Sequence, residues 1–533
     1  MPADTTIEKQ FSRDNNARRG HLDQAVTNAR LTKAHIQPDP DQDHNAEMPQ
    51  NYQSVGSRGI SILAGRLLLA IYPPETPFFV LSPSPELFFD PAANQEDMEQ
   101  FQQRLFLYVR SMIVELESST VGLNKDIRRW QRGFRAEKMA AFEQALVCGD
   151  TLERMHPDYR MQLFRLDQYV NKRDSTGAVI YHITREEKDV AELRPDQFAM
   201  TGLPDDIYKH PEVDKRTNDL FTKVEWQYDT KTWMITQEVN GNEINQSEEK
   251  VSPYFSTAFE FTGGNYGRSF VEQNIGDLRS LDTLELARLD LLGLAAKALW
   301  AKDAASMIRE QDLQQAPGNL VNGARVVNGV LQDLAPIAFA NPRDYAILSA
   351  GVQDKRSDLS KAMLVESETT RKAERVTTVE IQRNVAEINA ALGGIYTALA
   401  DEQQIPLAAR LIHQFNKDHK ISLQTRTGVE AVEINSLTGL TALQSDADGQ
   451  KLLTALQIIQ GLGPEAVSRV DMNVAVNILL RQIGIHHPGL IKSPEQLAAE
   501  QAIADRRALL LQGADQAIES TGKIVEQQAT QAA

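Results

Sequence analysis

Hydrophobic positions change their rhythm several times along the chain, and each change predicts a different kind of element. From residue 7 to about 34 the chain is polar with scattered Ala, Leu and Val, which predicts a helix with one thin apolar stripe. From Gly59 to Ala70 the phrase is almost wholly apolar and reads as a buried helix. Pro73, Pro74 and Pro77 stop it, since proline lacks the backbone donor and clashes with the preceding turn. Helical spacing resumes between residues 98 and 147, through Phe101, Leu105, Val109, Ile113 and Leu116. Beyond Thr151 the period shifts to two. Val224, Trp226 and Tyr228 alternate with Glu225 and Gln227, and a second alternating run from Trp233 to Val239 ends at Asn240-Gly241, the preferred pair for a tight hairpin. A small antiparallel β unit is expected there, with Trp226 and Trp233 as sheet-face residues.

The next segment carries apolar steps of three and four at Val271, Ile275, Leu278 and Leu281, then Leu286, Leu289 and Leu292, and predicts one long helix from Tyr266 to Trp300. Its stripe broadens towards the end, so it should pack against neighbours on more than one side. Residues 304–340 lose the helical signal: Pro317-Gly318, Asn322-Gly323 and Asn328-Gly329 punctuate short apolar runs, as in a compact insert containing strands. Asn341-Pro342 then opens a second helix through Ile347, Val352, Leu359 and Met363, so two helices bracket the insert. Residues 366–375 contain no large apolar residue and read as an exposed loop of mixed charge. Thr377 to Glu380 fits a capping box for a helix with its seam at Ile381, Val385, Ile388, Leu392, Ile395 and Leu399. Gly393-Gly394 interrupts that helix, and a glycine pair there predicts a kink. Residues 434–461 read as helical, and Ser493-Pro494 starts another helix before a frayed tail.

Composition narrows the function. With 533 residues, 41% hydrophobic and 24% charged, the chain can bury a large core in several connected units. Lacking a bilayer-length apolar run and a signal-peptide core, it reads as soluble and not secreted, with no membrane partner. The single cysteine, Cys148, follows an apolar phrase and reads as a buried, inert thiol. A net charge of −17 argues against a surface that wraps nucleic acid tightly, but not against one that lets DNA slide past.

Candidate chemistry is sparse. Ser520-Thr521-Gly522-Lys523 lacks the spaced glycine and the following hydroxyl of a phosphate loop, and Gly461-Leu462-Gly463-Pro464 fails the dinucleotide fingerprint. His486-His487 has no companion ligand at metal spacing, and Asp446-Ala447-Asp448-Gly449 lacks the closing positions of a calcium loop. No catalytic residue, metal site or cofactor is assigned, and the chain is not expected to be an enzyme. Three cations of the exposed loop remain: Arg371, Lys372 and Arg375. In an isolated chain Glu366, Glu368 and Glu374 would neutralise them.

Four phrases in this order resemble the head-to-tail connectors, or portal proteins, of short-tailed bacteriophages. They are Gly59 with Leu67-Leu68-Leu69-Ala70 before Pro73-Pro74; Tyr266-Gly267-Arg268-Ser269-Phe270 with Gly276-Asp277-Leu278-Arg279-Ser280-Leu281; Glu374-Arg375-Val376-Thr377; and Leu392-Gly393-Gly394-Ile395-Tyr396. The resemblance spans nearly the whole chain and is weakest over residues 151–219 and in the insert. It implies an α+β, predominantly helical subunit of a ring of roughly twelve copies around a DNA channel at the unique capsid vertex. It divides the chain into a wing (1–265), a first stem helix (266–303), a clip (304–340), a second stem helix (341–365), a channel loop (366–375), a kinked helix returning to the wing (376–432) and a helical crown (433–533). The implied partners are double-stranded DNA, the terminase large subunit, tail proteins, and the major capsid and scaffolding proteins. Assembly would take place in the host cytoplasm and the product would reside in the virion. The competing readings are a capsid-interior scaffolding protein, which should be more uniformly helical, and a DNA-processing motor subunit, which needs a phosphate loop or metal cluster.

Overall fold

The computed structural model describes residues 6–40, 42, 46–73, 77–83, 95–117, 133–189, 199, 217–296, 299–303, 307–309, 311, 325–328, 330–331, 334–337, 342–365, 394–419, 432–436 and 457. The chain divides into two compact units, Met1–Gly439 and Leu440–Ala533, and all described residues but the last belong to the first.

The opening stripe forms two helices rather than one, α1 (Ile7–Ala17) and α2 (Arg19–Leu31), divided at Arg18. Thr6 caps α1 through the Lys9 N–H, and the Glu238 carboxylate accepts the Ile7 N–H at 2.8 Å, a negative charge at the positive helix end. α3 (Val55–Ile71) is the expected apolar helix and ends just before the prolines. β1 (Phe79–Pro83), α4 (Gln95–Glu117) and α5 (Phe134–Cys148) follow. α5 is the central helix, burying Phe134, Phe142, Ala145, Leu146 and Val147. Gly149 ends it in the left-handed conformation (φ 83°), donating its N–H to the Ala145 carbonyl at 2.9 Å.

The β unit contains eight strands: β2 (Asp150–Met155), β3 (Met161–Phe164), β4 (Tyr169–Arg173), β5 (Val179–Asp189), β6 (Thr217–Gln227), β7 (Thr232–Val239), β8 (Asn242–Glu249) and β9 (Tyr254–Ala258). They form a three-stranded sheet ordered β3-β2-β9 and a five-stranded meander, β4-β5-β6-β7-β8, all antiparallel. The β7–β8 hairpin turns at Asn240-Gly241 with φ of 50° and 79°, the primed geometry that matches strand twist. Trp226 and Trp233 face each other in register, ring centroids 5.3 Å apart. α1 covers the five-stranded sheet, where Ile7 and Phe11 pack with Val170, Tyr181, Ile183 and Phe221.

α6 (Phe270–Ala296) leads to the insert. The expected continuation of this helix to Trp300 is not observed: Leu299–Lys302 is strand β10, paired antiparallel with β13 (Leu334–Ile337), and Trp300 lies opposite Pro336. A two-residue-strand hairpin, β11 (Val326–Val327) and β12 (Val330–Leu331), lies between them in sequence. α7 (Pro342–Ala362) starts at its proline, and α8 (Gly394–His419) continues through Pro406. The helical reading of residues 434–461 is corrected at its start. Val432–Ser436 is strand β14, paired with β1 across most of the sequence, so long-range pairing overrides the local helical pattern. The described residues are thus a mixed α+β structure.

Candidate functional site

The motif around Tyr266 builds the joint at the base of α6. Gly267 and Gly149 face each other so closely that a Cβ on Gly149 would lie 2.5 Å from the Gly267 carbonyl oxygen. Ser269 caps α6: its Oγ accepts the Glu272 N–H at 3.1 Å and the Asn28 side-chain amide at 2.8 Å. The Tyr266 hydroxyl accepts the Asn171 N–H at 3.0 Å, and its ring contacts His21, stacked at 5.1 Å, and the Arg18 guanidinium, 5.1 Å from its centroid. Arg268 donates its N–H to the Glu260 carbonyl and its guanidinium to Glu272.

Above this joint α6 and α7 run side by side. Lys355 bonds Asp277 at 2.8 Å, and the buried Glu285 holds Arg288 at 2.7 Å and Arg356 as well. The Asp282 carboxylate accepts the N–H groups of Tyr52 and Gln53, tying the α3 approach to α6. Gly59 admits the end of α7: a Cβ there would lie 2.9 Å from the Met363 Cβ. α7 stops in a left-handed residue, Leu364 (φ 54°), with Val365 N–H bonded to the Ser360 carbonyl at 2.8 Å and Leu364 N–H to Lys361 at 3.0 Å. This is a Schellman ending placed immediately before residue 366. Val271, Leu278 and Leu281 of α6 are fully buried, but Leu289 and Leu292 are 46% and 40% exposed, and Ile347 of α7 is 67% exposed.

Behind the helix pair lies a buried polar framework. Lys138 on α5, wholly inaccessible, donates to Glu153 on β2 at 2.9 Å and to Gln403 on α8 at 2.7 Å; Gln403 in turn donates to Thr257 on β9. Burial pushes the Lys138 ammonium pKa down, while the Glu153 carboxylate pulls it back up. Asp150 accepts from Tyr169 and Asn171 at 2.8 and 2.9 Å, and Arg173 approaches to 3.8 Å. Burial raises its pKa to about 7 despite Arg173. His182, bonded to Asn171, is pushed down to about 3, first by burial and then by Arg173. Cys148 is buried, as expected, and burial pushes the pKa of its thiol up. Among the described residues no group of three or more His, Cys, Asp or Glu could hold a metal ion, and no helix is long and apolar enough to cross a membrane. The network ties α5, β2, β9 and α8 to one another through buried hydrogen bonds.

Arg371, Lys372, Arg375 and Gly393, with the expected capping box at Thr377, lie outside the described residues; Gly394 is the first residue of α8. The described structure therefore brings none of the three cations to a site. The sequence reading missed Lys138, Glu153 and Gln403, whose neighbours in sequence are those of ordinary amphipathic elements. The Tyr266 motif was legible as a phrase, but its role as a joint was not.

A model of the bacteriophage head to tail connecting protein family matches residues 5–491, and the chain belongs to that family. It is 27% identical over 520 residues to the portal protein of Escherichia phage T7, covering 94% of this chain and 90% of that one. It is 27% identical over 525 residues to the portal protein of Enterobacteria phage T3, covering 95% and 90%. The portal protein of Enterobacteria phage SP6 is 24% identical over 526 residues, covering 96% and 95%. Among solved structures, the neck of an empty gene transfer agent particle computed with C6 symmetry covers 81% of this chain and 89% of its own at 12% identity; the TM-score is 0.36, too low to define the fold.

Proposed function

We propose that this head-to-tail connecting protein is the non-enzymatic subunit of a ring, roughly twelve copies around, through which double-stranded DNA enters and leaves the capsid at one vertex. Residues 1–265 form its wing, α6 and α7 its stem, 304–340 its clip and 366–375 a channel loop. The chain from 376 returns to the wing by a helix kinked at Gly393 and Gly394, and residues 433–533 form the crown, entered through β14. The clip docks the terminase large subunit and later the tail proteins, and the outer surface meets capsid and scaffolding proteins during assembly in the host cytoplasm. The observation that carries this reading, beside the family, is the exposure of large apolar side chains on both helices of the pair. Leu289, Leu292 and Ile347 all lie in the halves of their helices nearer to the insert, where a neighbouring copy of the pair would cover them.

Electron microscopy of the purified chain tests the assembly: rings with a central hole are expected, and a population of single subunits at micromolar concentration would overturn the reading. The loop is tested by Arg371→Ala with Lys372→Ala. Rings should persist, because the loop supplies no apolar seam, while DNA contact weakens and becomes less salt-dependent as fewer counterions are released. Lost rings with normal DNA handling would move these residues to a subunit interface.

A further inference from the structure

β8 is the outer strand of the five-stranded sheet, and all of its residues but Ile244 and Glu249 are exposed. Glu249, the last of them, is held by α8. Arg410, itself only 3% exposed, donates from Nη1 to the Glu249 carboxylate at 2.8 Å and to the Val251 carbonyl at 3.0 Å. His413 Nδ1 and Lys417 Nζ stand 3.7 and 3.6 Å from the same carboxylate. Positions 410, 413 and 417 are three and four residues apart, so they share one face of the helix. Three basic side chains of one helix thus converge on a single carboxylate at the edge of a sheet.

The charges there do not balance. With the imidazole neutral, Arg410, Lys417 and the adjoining Lys250 already outnumber Glu249. Glu248 alternates to the opposite face of the sheet, where it bonds Thr232. Asp418, the acid at this end of α8, is engaged by the Tyr159 hydroxyl at 2.7 Å and by Gln414 at 3.0 Å, and His419 lies against Phe415. A proton on His413 would therefore add a fourth positive charge around one negative one. Burial, then Arg410, pushes the His413 pKa below 6.5 against the pull of Glu249, and Lys417 and Lys250 push the same way. Burial raises the Glu249 carboxyl, but Arg410, Lys417 and His413 together outweigh it and hold that group below 4.5. His413 is thus the member of the cluster whose charge changes in mild acid.

We propose that these residues form an acid-released latch, in which Glu249 fastens the outer strand of the sheet to α8 and a proton on His413 loosens it. Once released, the imidazole lies in water and takes up its proton near the ordinary pKa of 6.5, which the closed latch resists. Linkage then gives the sign: the latch is at full strength above pH 6.5 and weakens as pH falls below that value. Other ties do not depend on it, since Lys138 still bonds Gln403 on α8 and Glu238 on β7 still caps α1. Acid therefore frees one edge of the sheet and leaves the buried framework closed.

Hydrogen exchange of the full-length protein at pH 7.5 and 5.5, read by mass spectrometry with labelling times scaled to the exchange of free amides, tests the latch. Peptides over residues 242–252 should lose protection several-fold at pH 5.5, while peptides of α6 keep theirs. His413→Gln is neutral at both pH values and should abolish the difference. Glu249→Gln removes the anchor and should leave residues 242–252 weakly protected at both. Lys417→Gln, a change at an exposed side chain, relieves part of the repulsion and should shrink the loss in acid. Equal protection of 242–252 at the two pH values, a loss shared equally by α6, a pH response that survives His413→Gln, or full protection of Glu249→Gln at pH 7.5 would overturn the proposal.

Discussion

The two halves of α6 obey the same apolar spacing and meet opposite surroundings. In the first half Val271, Leu278 and Leu281 are sealed inside the folded chain; in the second, Leu289 and Leu292 are 46% and 40% exposed. Periodicity thus fixes which residues share a face, but not what covers that face. One half is a core of the folded chain, and the other is the portion we assign to contact between copies.

Stability measurements can separate the two halves, and the largest effect is expected deepest in the base. Lys138→Met leaves Glu153 buried without its counter-charge and should cost about 3–5 kcal/mol, seen as a large fall in Tm at fixed protein concentration; adding Glu153→Leu should recover most of it. A small effect of the single variant would mean that water reaches Glu153. Leu281→Ala, in the sealed half of α6, should cost about 3 kcal/mol through lost burial and a cavity.

A smaller effect should appear in the pH dependence of the base. Folded Asp150 keeps its proton up to about pH 7, whereas the unfolded carboxyl releases it near 3.8. Between these points the folded chain binds the extra proton, so this group makes stability fall as pH rises. His182, pushed down to about 3, acts oppositely: below 6.5 the unfolded chain binds the proton, so stability climbs towards that pH. Asp150→Asn should therefore make Tm rise more steeply between pH 4.5 and 6.5. An unchanged slope would show Asp150 ionised and paired with Arg173 throughout.

The smallest effect on the subunit belongs to the bare half. Leu289→Ala with Leu292→Ala should change the stability of the isolated chain by about 0.5 kcal/mol or less. Sedimentation should nevertheless show the ring-to-subunit balance shifted towards subunits. A large loss of subunit stability would abolish the distinction between the halves.

What the sequence disclosed follows the range of the interactions involved. Asn240-Gly241 and the Pro73-Pro74 stop are local chemistry, and both were legible. The division of the first stripe at Arg18 was not, since one polar residue among many carries no breaking signal. Trp300 looked helical because apolar spacing ran up to it, yet its backbone pairs opposite Pro336, more than thirty residues on. Val432–Ser436 has its partner in Phe79–Pro83, and its brief alternation of Val432 and Ile434 with Glu433 and Asn435 is too short to outweigh the helical reading of the residues after it. Lys138 was the hardest case: a lysine among Ala, Glu and Met reads as a wet helix face until α8 and β2 close over it. The expected loop cations have no counterpart in the described base, whose charged groups serve packing.

The facing glycines at the foot of α6 have a consequence for how this chain can change over generations. Gly149 requires a left-handed backbone and Gly267 stands against it, so a side chain at either position meets main chain rather than a flexible neighbour. Enlargement at one site is ordinarily relieved by shrinkage at the other, but here both are already the smallest residue there is. No compensating pair exists, and drift at this point can proceed only by moving the backbone. The angle at which α6 leaves β2 and α5 is therefore inherited as a unit, however freely the surfaces on either side of it diverge.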